Sequence, residues 1–106
     1  MKYFVTASGG PGFTSPEEAK QLLESIVLPG FEVLKKLEKE KKIAGGLPVG
    51  ERSLVFIAEA PSNEELDQLL RTIPLWGVLE WEVIPLQTFA ARASLEKSLL
   101  DKLKKG

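Results

Sequence analysis

A chain of 106 residues with 14 Lys+Arg against 15 Asp+Glu, a formal net charge of -1, no cysteine and no histidine has the size of one domain, spanning 1–106. Disulfides, thiolate metal sites and thiol nucleophiles are excluded, as are the commonest metal ligand and the commonest general base at neutral pH, so any proton transfer falls to carboxylates, Lys, Tyr or water. The balanced charge offers nothing to nucleic acid or to an anionic membrane, the apolar runs are too short to span a bilayer, and the amino terminus lacks the plan of a signal peptide, so a cytoplasmic home is expected.

Lys2 to Ser8 is rich in β-branched and aromatic residues and runs into Gly9-Gly10-Pro11-Gly12, which predicts a first strand closed by a loop. That loop lacks the lysine and following Ser/Thr of a phosphate loop, and reads as a turn or a lid beside a pocket. Ser15-Pro16-Glu17-Glu18 supplies an N-cap, a proline at the first helical position and a glutamate able to close a capping box, so a helix starts there. Leu22, Leu23, Ile26, Val27, Val33, Leu34 and Leu37 keep roughly helical spacing, but Leu28-Pro29-Gly30 interrupts them and predicts a kink or break near Pro29. The charged run Lys35 to Lys42 suits a solvated last turn with lysines at the negative helix end.

Ile43 to Pro48 reads as a second strand in which Gly45-Gly46 implies a bulge or a close approach by another backbone or a ligand. A turn at Val49 to Arg52 then leads to Ser53 to Ala60, whose Leu-Val-Phe-Ile run predicts a third strand in a hairpin with the second. Ser62 and Glu65 repeat the helix-start signal ahead of Leu66, Leu69 and Leu70, and that helix ends near Pro74. Val78 to Pro85 alternates as a fourth strand, and Ser94 reads as the cap of a short amphipathic helix carrying Leu95, Leu99, Leu100 and Leu103.

The order β-α-β-β-α-β with a trailing helix is the split βαβ plan of the α+β, ferredoxin-like class, with residues 1–90 as the core and 91–106 as a helix packing on a partner subunit. Strands one and three are apolar on both faces, Tyr3-Phe4-Val5 and Val55-Phe56-Ile57. Helices cover only one face, so the other is expected to pair with a second copy, giving a homodimer or larger homo-oligomer of the dimeric α/β-barrel type.

Ala60-Pro61-Ser62-Asn63-Glu64-Glu65-Leu66, Leu69-Leu70, Ile73-Pro74-Leu75-Trp76 and Val83-Ile84-Pro85-Leu86 together resemble the muconolactone isomerase family. The resemblance lies in the second half of the chain: a Ser-x-x-Glu-Leu helix start, a Leu-Pro-Leu-aromatic turn and a last strand ending near proline and leucine. It implies ferredoxin-like subunits in dimers and higher rings. It also implies a pocket between helices and sheet, and cofactor-free isomerisation of a small cyclic carboxylic acid or lactone. Where true isomerases of that family carry histidine and aromatic residues after the first helix, this chain reads Ala44-Gly45-Gly46-Leu47-Pro48-Val49-Gly50.

Removing a proton beside a carbonyl and returning it elsewhere needs an acid/base group and a donor for the enolate. Glu32 follows the Pro29-Gly30 interruption between Phe31 and Val33, and lies where the family has acidic residues. It is the candidate proton shuttle, against the plainer reading of a surface glutamate. Arg52 is the candidate for holding a carboxylate or the enolate, against an exposed turn residue paired with Glu51. Tyr3 is a candidate hydroxyl donor, against an interface tyrosine. Glu59, Glu80 and Glu82 read as a solvated or interface sheet face, and Trp76 and Trp81 as core or interface aromatics more than pocket walls. No cofactor and no metal are expected. The alternative to an isomerase is a non-catalytic oligomer that binds a small hydrophobic molecule, favoured by the missing histidines and the glycine-rich second strand.

Overall fold

The computed structural model describes residues 1–10 and 12–106; Pro11 of the glycine-rich loop lies outside the described residues. Four strands, β1 (Lys2–Ser8), β2 (Ile43–Gly46), β3 (Leu54–Glu59) and β4 (Glu80–Leu86), form one antiparallel sheet in the order β2-β3-β1-β4. The helices are α1 (Pro16–Leu22), α2 (Leu28–Lys39), α3 (Asn63–Arg71) and α4 (Phe89–Lys105), with a π-helical turn, Leu23–Val27, joining the first two. Placing β1 and β3 at the centre is the ferredoxin-like arrangement the element order predicts. Among the described residues no helix is long and apolar enough to cross a membrane.

Strand alternation decides what the sheet buries. Tyr3, Val5 and Ala7 of β1 and Leu54, Phe56 and Ala58 of β3 point to one side, where they form the core with Leu37, Leu66, Leu70, Ile73 and Leu75. On the opposite side Phe4 stands between Ile57 and Ile84 in register, and among the described residues no helix packs over it. Ile84 is 50% exposed and Leu86 42%.

Ser15 caps α1, its Oγ accepting the Glu18 N–H at 3.1 Å, while the Glu18 carboxylate reaches back to the N–H and hydroxyl of Thr14. Pro29 neither breaks nor ends the helix. Lacking an N–H, it cannot bond the Ser25 carbonyl, and its ring would press on that group. The chain widens instead by one residue, so that the Leu28 N–H bonds the Leu23 carbonyl five residues back. At the other end of α2, the Lys42 N–H bonds the Leu37 carbonyl at 2.9 Å and the Lys41 N–H bonds that of Glu38 at 3.0 Å. This is the Schellman closure, with Lys41 at φ 61° in the position that favours glycine. A side chain there costs about 1 kcal/mol. Lys41→Gly is therefore expected to raise the denaturation midpoint, and a midpoint unchanged or lowered would refute that account.

β2 stops at Gly46, two residues short of the expected strand, and β4 starts at Glu80 rather than Val78. The intervening amides are taken by turns, Trp76 N–H to the Ile73 carbonyl at 2.8 Å and Val78 N–H to that of Leu75 at 3.2 Å. Ser62 caps α3 as expected, its Oγ accepting the Glu65 N–H at 3.2 Å. The expected cap at Ser94 is corrected: Thr88 caps α4, its Oγ1 accepting the Ala91 N–H at 3.0 Å. Ser94 lies inside the helix, which therefore begins before residue 91. α4 projects from the domain, every one of its residues exposed, and stretches the molecule to 69 Å against 25 and 22 Å.

Candidate functional site

A cavity of about 300 Å³ opens between the α1–α2 segment and the sheet. The π-helical turn supplies Leu23, Ile26 and Val27 to its wall, α2 supplies Phe31, and the segment before β4 supplies Leu75, Val78 and Leu79. Helical widening thus falls where the wall is made, a placement π turns often have. Gly30 lets α2 lie against Leu75, where a Cβ would come within 2.8 Å of the Leu75 Cγ. The volume suits one small ring, and the apolar lining would strip it of water.

Polar groups enter this wall from three consecutive residues, Glu51, Arg52 and Ser53, in the turn leading into β3. Ser53 Oγ donates to Glu51 Oε2 at 3.2 Å, which fixes one carboxylate oxygen. The Arg52 guanidinium lies 5.5 Å from the centroid of the Phe13 ring, a cation–π contact that holds it over the cavity wall. Among the described residues no ion pair uses Arg52, so no carboxylate of theirs competes for its forked donors. Among the described residues Glu51 is the one acid lining the cavity.

The three residues singled out from sequence do not converge. Arg52 lines the cavity. Glu32, the candidate proton shuttle against the plainer reading of a surface glutamate, sits on the outer face of α2 with its carboxylate 3.3 Å from Lys35 Nζ and its side chain 72% exposed. α2 runs uninterrupted from Leu28 to Lys39, and Glu32 falls on its solvent side. Tyr3 is buried under α3, where its hydroxyl donates to Asn63 Oδ1 at 2.7 Å. Phe13, Ser53 and the π turn were not legible as site components. Nor was Glu51, which was read only as the partner of an exposed Arg52, whereas its carboxylate accepts from Ser53. Trp76 and Trp81 pack on the core with ring centroids 5.6 Å apart, the Trp81 Nε1–H donating to the Trp76 carbonyl at 3.1 Å, and neither lines this cavity. Among the described residues no group of His, Cys, Asp and Glu is placed to hold a metal ion.

A family model described as muconolactone delta-isomerase matches residues 32–92, more than half of the chain, from α2 into the start of α4. The crystal structure of muconolactone isomerase at 3.3 Å resolution superposes with a TM-score of 0.65 at 23% sequence identity, over 83% of this chain and 90% of that one. At that identity the superposition speaks for the fold. No curated protein sequence matches the chain.

Proposed function

This chain belongs to the muconolactone delta-isomerase family, and from that premise we propose that it is a cofactor-free isomerase of a small cyclic carboxylic acid or lactone. The observation that carries the reading is the apolar cavity of about 300 Å³ with a guanidinium, a carboxylate and a hydroxyl presented to it by consecutive residues. The ring occupies the apolar part, the substrate carboxylate meets the Arg52 fork, and Glu51 takes the proton from the carbon beside the carbonyl. The electron pair left behind delocalises into the carbonyl as an enolate, which the guanidinium stabilises. Glu51 then returns the proton further along the conjugated system, so the double bond moves and the composition is unchanged. Glu32 and Tyr3 do not line this cavity, so anchoring falls to Arg52 and proton transfer to Glu51.

The test is incubation with muconolactone in D₂O followed by proton NMR. Movement of the ring double bond with deuterium entering at carbon is the expected result. Binding without exchange or product would replace this reading with that of a non-catalytic binder, which the scarcity of acids in the wall favours.

We further propose that the open sheet face pairs with a second copy, and that α4, with Leu95, Leu99 and Leu103 half exposed or more, packs on that copy. Supporting this are Phe4, Ile57 and Ile84 side by side on the bare face, with the Lys2–Glu59 ion pair of 3.8 Å at their edge. Ile84→Asp is expected to convert the assembly to monomer in sedimentation velocity, because an unpaired carboxylate would be buried against another sheet. A wild-type chain that sediments as a monomer at micromolar concentration would refute the pairing. A cytoplasmic home belongs to the same proposal.

A further inference from the structure

Beside the cavity assigned to the acid lies a second hollow of about 180 Å³, between α2 and the β2–β3 hairpin. Phe31, Leu47 and Leu54 line both spaces. Leu54 is buried in the floor, Phe31 comes half-buried from α2, and Leu47 comes from the loop after β2 with 46% of its surface exposed. The second hollow is walled mainly by apolar groups such as Leu34, Ile43 and Phe56, and the charges on it are Lys35 and Glu38 of α2. Lys35 is already engaged by Glu32 at 3.3 Å. The two compartments therefore share a chemistry but differ in anchoring, because among the described residues only the first has a guanidinium in its wall.

We propose that Phe31 and Leu47 form a partition that sets the length of ligand the site accepts. This rests on the acid-binding reading above and sharpens it: the ligand is a carboxylic acid, anchored at Arg52, whose apolar body ends at Phe31 and Leu47. A longer body stops at the partition. Opened there, it would run on along an apolar wall, where each added methylene strengthens binding by about fourfold. Leu47 is the element that can be removed cleanly, since a half-exposed loop side chain contributes little to the core.

The experiment is calorimetric titration of two matched series, ω-phenylalkanoic acids from phenylacetic to 6-phenylhexanoic acid and their primary amides. The wild-type chain is expected to gain affinity over the first members and to lose it beyond a limiting length. Leu47→Ala is expected to move that limit by about two methylenes in both series, strengthening the longest members by about 16-fold. Phe31→Leu, a milder change on the helix side, is expected to move it in the same direction. An unchanged limit in both variants, or a change equal at every length, overturns the partition. Acids that bind no better than amides while the limit still shifts would overturn the Arg52 anchor and leave the partition standing, and no binding by either series overturns both.

Discussion

Arg52→Met is expected to weaken binding of a small cyclic carboxylate by about 10- to 100-fold and to remove measurable turnover, with the thermal midpoint kept within about 4 °C. The size follows from the environment. A hydrogen bond to a charged group contributes about 1.5–3 kcal/mol, and the Arg52 fork has no carboxylate partner among the described residues to compete with a ligand. Its contact with Phe13, at 5.5 Å, positions the group. Arg52→Lys keeps the charge and loses the fork, so intermediate affinity is expected. The primary amide of the same ligand should be nearly indifferent to either change. Equal losses for acid and amide would mean that Arg52 shapes the cavity rather than reading the carboxylate, and no loss for either would remove it from the site.

Gly45→Val is expected to cost about 3 kcal/mol or more of stability, lowering the midpoint by more than about 10 °C. A Cβ at this position would meet the carbonyl oxygen of Val55 and come within 2.5 Å of the Phe56 Cα, both on the neighbouring strand. Main chain cannot rotate away as a flexible side chain can, so the β2–β3 pairing itself must open. Gly46 is the control. A Cβ there meets nothing within 4 Å, and Gly46→Ala should change stability by no more than about 0.5 kcal/mol. Chemical denaturation of the two variants side by side decides the matter. Equal behaviour would show that the strands separate without penalty.

Much of this fold is written in local signals. Lys2 to Ser8 became β1, Ser15 and Ser62 cap the helices they announce, and Gly45, the first of the glycine pair in β2, marks the approach of another backbone. Where reading failed, a competing local signal was present. Thr88 and Ser94 are both plausible caps, and Ala90, Ala91 and Ala93 carry no apolar rhythm to show that α4 has begun. The site was the harder part, because its wall is assembled from the glycine-rich loop, the π turn, α2, the turn before β3 and the segment before β4. No spacing rule joins such distant stretches. Arg52, singled out for its chemistry, lines the cavity, whereas Glu32 was singled out because it follows Pro29-Gly30. The helix absorbed the proline elsewhere.

That absorption carries a consequence for how this segment tolerates change in length. A π turn is an α-helix carrying one residue too many, and each residue turns a helix by about 100°. Deleting one residue between Leu23 and Val27 would restore regular winding but roll α1 by that angle relative to α2. Leu22 and Leu23 would swing off the cavity, the polar side of α1 would swing toward it, and Ser15 would no longer hand the chain over from the glycine-rich loop in the same direction. The extra residue is thus a phase-setting element. Substitutions within it are matters of packing, whereas insertions and deletions there would re-aim the first helix as a whole.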